Sequence, residues 1–231
     1  MQIVDALPLG DPIDSSRAPL PSRKVLPGRY VDLEPIDPAK HGDALWDEVK
    51  GNDHLWAYLF AGPYKDRAGI DGYLKKIAAA DDPLFFAIVD RSSGRAVGIA
   101  SLMRIDATHR VIEVGGILYT PALQQTRGAT EAMYLFARYV FDELGYRRYE
   151  WKCNDLNAPS RSAAFRLGFS FEGIFRQHMI VKGRNRDTAW FSMLDSEWPA
   201  CRSAFERWLD PANFDESGKQ RVSLAALRQQ A

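Results

Sequence analysis

Along the chain the spacing of apolar residues switches between helical and extended, and each switch marks an element. "RYVDLEPI" alternates apolar with polar and predicts a first strand. "DPAKHGDALWDEVK" follows with Leu45, Trp46 and Val49 on one face, Asp37 placed to cap it and Pro38 at its first helical position. "DHLWAYLFAG" is a short aromatic helical or turn segment, and "DRAGIDGYLKKIAAA" is helical by its Ile70, Tyr73, Leu74, Ile77 spacing. The period then becomes extended. "PLFFAIVD", "RAVGIASLMRID" and "VIEVGGILYT" form a meander whose turns are "RSSG" and "ATHR". A helix is predicted from about Thr130 to Leu144, with Leu135, Phe136, Tyr139, Val140 and Leu144 on one face and Gly145 ending it. "RRYEWKCN" is a strand and "APSRSAAFRLG" a short helix. "FSFEGIFRQHMIV" and "DTAWFSML" are strands joined through "KGRNR", "EWPACRSAFERWL" is a further helix, and "SLAALRQQA" a small one.

This order predicts an α/β (α+β) fold: one mixed, mostly antiparallel sheet with helices on both faces. The strand–helix–strand unit that leaves the meander implies one parallel pair inside an otherwise antiparallel sheet, with a right-handed crossover. If those two parallel strands splay apart, they leave a slot for an extended ligand. Residues 1–27, rich in Pro and Ser, read as an N-terminal arm of partial order, residues 28–199 as the main domain, and residues 200–231 as a C-terminal helical extension.

Composition narrows the function. Thirty basic residues balance thirty acidic ones, so nothing favours nucleic acid or an anionic membrane as partner. Cys153 and Cys201 lack metal-ligand spacing, and two thiols in a chain this size fit a reducing compartment. No apolar run is long enough to cross a bilayer, and the first residues lack the pattern of a secretory signal. The expectation is a cytoplasmic protein without a metal.

The stretch "LQQTRGATEA", Leu123–Ala132, carries the strand before it into the helix after it. The first amides of a helix have no internal partner and sit at its positive end, so such a loop is suited to an anion. At this point the residues resemble the GNAT acyltransferase superfamily, most closely the branch that includes the ribosomal-protein N-terminal acetyltransferases. The resemblance rests on "QQTRGATEA…YVFDELGYRRYEWKC", on "NDLNAPSRSAAFRLGFSFEG" and on "KGRNRDTAWFSML", and spans roughly Arg29 to Pro199. It implies acetyl-CoA, or another acyl-CoA, in the slot, with its pyrophosphate on loop amides. The family's loop reads Gln or Arg, two residues, Gly, one residue, Gly or Ala. Two alignments are open: Gln124, Arg127 and Ala129, favoured by the helix that follows, or Gln125, Gly128 and Thr130. In the first, Arg127 replaces the glycine, where its guanidinium either reaches phosphate or obstructs the approach. Thr126 completes the loop.

The implied chemistry needs a proton acceptor for the amine, a donor for the tetrahedral oxyanion and an acid for the thiolate. The resemblance points to Glu113 as base, to a backbone N–H of Leu118 or Tyr119 as donor, and to Ser160 as acid. The tyrosine that many relatives carry seven residues after the Asn is Ala164 here, with Phe165 beside it. Asn157 caps the short helix, binds the pantetheine arm, or does both. Ser160 is alternatively a helix cap, and Glu113 a salt-bridged strand residue. His109, His178 and Glu172 are further candidates for the base, and Asp187 ties the last hairpin. His54, Trp56, Tyr58, Phe60 and Tyr64 either wall an acceptor cleft or fill the core. Arg184 and Arg186 either recognise an acidic acceptor or are solvated turn residues.

The resemblance therefore implies an N-acetyltransferase acting by direct transfer on a primary amine, either a protein N-terminus or a small amine. A second copy of the chain is a candidate partner through the C-terminal helix. The alternatives are a succinyl-CoA-dependent enzyme and a non-catalytic acyl-CoA-binding module.

Overall fold

The computed structural model describes residues 7–230, so the first six residues of the expected arm lie outside the described residues. In chain order the elements are β1 (Val31–Pro35), α1 (Pro38–Val49), α2 (Arg67–Ala78), β2 (Leu84–Asp90), β3 (Ala96–Asp106), β4 (Val111–Tyr119), α3 (Arg127–Arg138), β5 (Arg148–Asn154), α4 (Ala158–Leu167), β6 (Ser170–Val181), β7 (Arg184–Leu194), α5 (Trp198–Leu209) and α6 (Leu224–Arg228). The strands form one seven-stranded sheet in the order β1-β2-β3-β4-β5-β7-β6. Among the described residues only β4 and β5 pair in parallel; every other neighbouring pair is antiparallel.

Strand β2 shows how the sheet is covered on both faces. Leu84, Phe86 and Ile88 enter the larger apolar cluster, which includes residues of α3 and α5. Phe85, Ala87 and Val89 enter the other, with Leu45 of α1 and Ile70, Leu74 and Ile77 of α2. A strand buried on both faces reads as a continuous apolar run, which is what "LFFAIVD" is. Asp37 caps α1 as its sequence predicts, its carboxylate accepting from Ala39 N–H. Cys201, Phe205 and Trp208 of α5, with Leu224 and Leu227 of α6, pack into the larger cluster. The arm from residue 7 onward is tied at several points: Ala18 N–H donates to Ala107 O at 3.0 Å, and Leu26 bridges Leu33.

Two boundaries differ from the sequence expectation. Helix α3 starts at Arg127, three residues before Thr130, because the Thr126 hydroxyl caps it by accepting from Ala129 N–H. Its last turn widens into a π-turn over Tyr139–Glu143. The β6–β7 connection is not "KGRNR" but Lys182-Gly183 alone, at φ +50° and +72°, a two-residue turn that twists with its strands. Arg184 and Arg186 therefore belong to β7.

Candidate active site

The parallel strands β4 and β5 pair over Val111–Val114 and Arg148–Trp151 and then part. Beyond that point β4 stays with β3, as far as Tyr119 opposite Gly98, and β5 stays with β7, as far as Asn154 opposite Thr188. The divide falls at Gly115-Gly116. Gly116 has φ +59°, and a Cβ there would lie 2.8 Å from the Phe85 ring, so the position needs glycine. The β3–β4 pairing shifts register between Ile99 and Ser101, and the Ser101 hydroxyl donates to Gly115 O at 2.9 Å. Such a bulge bends its strand, here away from β5. A cavity of about 650 Å³ opens at the wedge, between β4 residues Glu113 to Ile117 and β5 residues Trp151 to Asn154.

Of the two expected oxyanion donors, one faces the wedge. Thr120 N–H donates to Val97 O, on the β3 side. Backbone groups alternate along a strand, so the Leu118 amide also faces β3 and the Tyr119 amide faces the wedge. Tyr119 also joins the wedge to the loop: its hydroxyl donates to Ala129 O and its carbonyl accepts from the Gln124 side chain, both at 2.9 Å.

In the loop, Gln124 N–H donates to Thr120 O and Thr126 N–H to Leu123 O. Gln125 stands at φ +61°. Among the described residues, the amides of Gln125, Arg127 and Gly128 have no protein partner. They lie at the positive end of α3, which suits them to a phosphate. Three residues here are engaged within the protein. The Arg127 guanidinium lies 3.8 Å from the Phe214 ring centroid and 5.8 Å from that of Tyr30. Gly128 is buried against β1, where a Cβ would come 2.7 Å from Val31 Cγ1. Thr130 is buried and accepts from Arg166 of α4 at 3.0 Å.

Glu113 lies on the cavity wall and is almost fully buried. The Lys152 ammonium stands 2.9 Å from its Oε2 and 2.6 Å from Glu150 Oε2, and Arg104 Nε is 3.3 Å from Glu113 Oε2. Burial pushes the Glu113 carboxyl above its usual range, and Lys152, then Arg104, pull it part of the way back. Asn157 is the cap of α4, its Oδ1 accepting from Ser160 N–H at 3.2 Å. Ser160 is therefore not the cap. Its Oγ lines the cavity and accepts from the Trp151 indole N–H at 3.0 Å, which leaves the hydroxyl proton to point elsewhere. Cys153 lies beside it, its thiol pushed up by burial and drawn back by the Ser160 hydroxyl.

The remaining candidates separate by role. His109 is exposed in a turn. Glu172 is structural: it pairs with both terminal nitrogens of Arg148 and accepts from the Ser192 hydroxyl. Asp187 ties β7 to β6 by accepting from Gln177 N–H at 2.7 Å. His178 bonds Thr188 Oγ1 at 3.0 Å, and burial with neighbouring cations lowers its pKa. Trp56 is core, whereas Tyr58, Phe60 and Tyr64 line the cavity, as does Tyr73 of α2. Arg184 is exposed, but Arg186 is buried and lines the cavity, against the reading of both as solvated turn residues. Trp151, Lys152 and Gly116 were not singled out from the sequence, although a glycine pair inside an apolar strand is a sign of a bulge. Among the described residues, no group of three or more His, Cys, Asp or Glu side chains could hold a metal ion, and no helix is long and apolar enough to cross a membrane.

A sheet split at one parallel pair, with a free-amide loop at one end of the split and a largely apolar cavity holding a few charged groups beside it, is the framework expected of an acyltransferase. The chain belongs to the acetyltransferase (GNAT) domain family, whose model matches residues 31–170. It resembles the crystal structure of a GCN5-related N-acetyltransferase from Brucella melitensis, at 52% identity and TM-score 0.91, covering 94% of this chain and 99% of that one. A GNAT-family acetyltransferase structure from Chromobacterium violaceum is 38% identical, with TM-score 0.78, over 84% of this chain and 98% of its own. YdaF of Bacillus subtilis, provisionally named a ribosomal N-acetyltransferase, is 32% identical over 107 residues, which is 46% of this chain and 57% of YdaF. The chain thus matches less than two thirds of that relative's length.

Proposed function

We propose that the protein transfers an acetyl group from acetyl-CoA directly to a primary amine. The parting of β4 and β5 beyond Val114 and Trp151 carries this reading, because it leaves strand groups unpaired where an extended thioester can lie. The free amides of Gln125, Arg127 and Gly128 take the pyrophosphate, with Gln124, Thr126, Ala129 and Thr130 holding the loop in shape. Tyr119 offers its amide along the same path, and Asn157 fixes the start of α4.

In the reaction the amine nitrogen attacks the thioester carbonyl carbon. The C–S bond breaks as the tetrahedral oxyanion collapses, and the nitrogen loses a proton. Glu113 accepts that proton, directly or through water. Burial makes it a stronger base than an ordinary carboxylate. Lys152 stays balanced when Glu113 is neutralised, because Glu150 remains at 2.6 Å. Ser160 gives its hydroxyl proton towards the departing thiolate. Proximity in the wedge supplies much of the remaining rate. Cys153 and Cys201 are free thiols and both are buried, in keeping with work in the reducing cytoplasm.

The test is release of CoA from acetyl-CoA against a panel of small primary amines and peptides with free N-termini. Turnover with amide formation is the expected result. Tight acetyl-CoA binding with no turnover on any amine would instead make this a binding module.

A further inference from the structure

Arg186 is 8% exposed and lines the cavity, yet among the described residues it forms no ion pair. Its Nε donates to Thr188 Oγ1 at 3.2 Å, and its guanidinium carbon lies 4.9 Å from the centroid of Phe60. The terminal nitrogens have no hydrogen-bond partner among the described residues. An enclosed cation with open N–H groups and no ion-pair partner is placed to take a counter-charge from a ligand. Glu113 acts on Arg186 from a distance, but that carboxylate forms its close ion pairs with other cations. Glu113 and Glu150 are matched by Lys152 and Arg104, and among the described residues Glu113 is the only carboxylate on the cavity wall, where Lys76 adds a further positive charge. Arg186 also has a defined place along the site. Thr188 lies opposite Asn154 at the end of β5, so Arg186 stands two residues past that end, at the open side of the wedge.

Resting on the acetyl-transfer reading above, we infer that the substrate carries a carboxylate, which docks on the free face of the Arg186 guanidinium in the cavity that also holds Glu113. A planar guanidinium with two open N–H groups matches a carboxylate in paired hydrogen bonds, and Phe60 fixes the plane. The carboxylate has two sources: the amine acceptor, or the far end of a dicarboxylic acyl group on CoA.

The experiment uses the full chain. One arm offers acetyl-CoA with each acceptor as free acid and as uncharged carboxamide. The other offers one neutral amine with succinyl-CoA and with acetyl-CoA. In one arm the carboxylate form is favoured by about 10- to 100-fold in kcat/KM. Arg186→Met abolishes that preference, Arg186→Lys restores part of it, and Arg184→Met leaves it intact. The arm that responds identifies the source. No preference in either arm, or one that survives Arg186→Met, overturns the inference while leaving acetyl transfer in place. Calorimetry with N-acetylglutamate and with succinate, each added in the presence of CoA, separates the two claims. Binding lost in Arg186→Met upholds the carboxylate site even if no amine turns over, and no binding in the unaltered chain overturns it. The acid-against-amide comparison needs no variant, so it decides the matter even if Arg186→Met does not fold.

Discussion

Lys152 Nζ stands 2.9 Å from the Glu113 carboxylate at the place where β4 and β5 separate. The ammonium is nearly as buried as its partner and lies 3.8 Å from the centroid of Trp190. One cation thus serves two acids on neighbouring strands. Either acid can change its protonation without leaving Lys152 unpaired.

Glu113→Gln is expected to lower kcat/KM by about 100-fold or more while the fold persists. The pH profile gives a sharper check. A base acts only when deprotonated, so activity climbs as pH rises through the Glu113 pKa. Burial raises that pKa above 4.5, so the climb lies above the usual carboxylate range, and it disappears in Glu113→Gln. A profile of kcat/KM against pH for both proteins measures it.

Ser160→Ala should lower kcat by about 10- to 100-fold and leave the affinity for CoA within about twofold. The same change strands the Trp151 indole N–H, at a cost of about 1 kcal/mol. Steady-state kinetics, CoA titration and thermal unfolding separate these effects. Unaltered kcat would assign the acid to water or another group.

Arg127→Ala should destabilise the protein by about 1 kcal/mol through the lost contact with Phe214, with acetyl-CoA affinity changed by less than about threefold. Equilibrium unfolding and calorimetry provide the two numbers. A large loss of affinity would mean that the guanidinium turns to the phosphates.

Glu131 of α3 is buried and accepts from the backbone N–H groups of Arg29, Tyr30 and Val31 at 2.6–2.9 Å. Glu131→Ala leaves those donors without their acceptor and should cost about 3 kcal/mol. The midpoint of denaturant unfolding measures it.

The sequence by itself determined the order of elements and the one parallel crossover, because period and turn chemistry are local. Asp37 and Pro38 announce α1, and Gly145 and Gly168 end what precedes them. The family resemblance, carried by short motifs, pointed to Glu113, Asn157 and Ser160, and all three line the cavity. Tertiary structure alone decided where long side chains go. Arg127 opens α3 by sequence while its side chain rests on Phe214 in space, and Arg186 lies near a hairpin by sequence but inside the cavity in space. Both outcomes depend on partners distant along the chain, Phe214 in one case and Phe60 in the other, and no local pattern encodes such a meeting. A flexible cationic side chain can reach several of them. Which one it finds is fixed only when the sheet, the helices and the segment after α5 have packed.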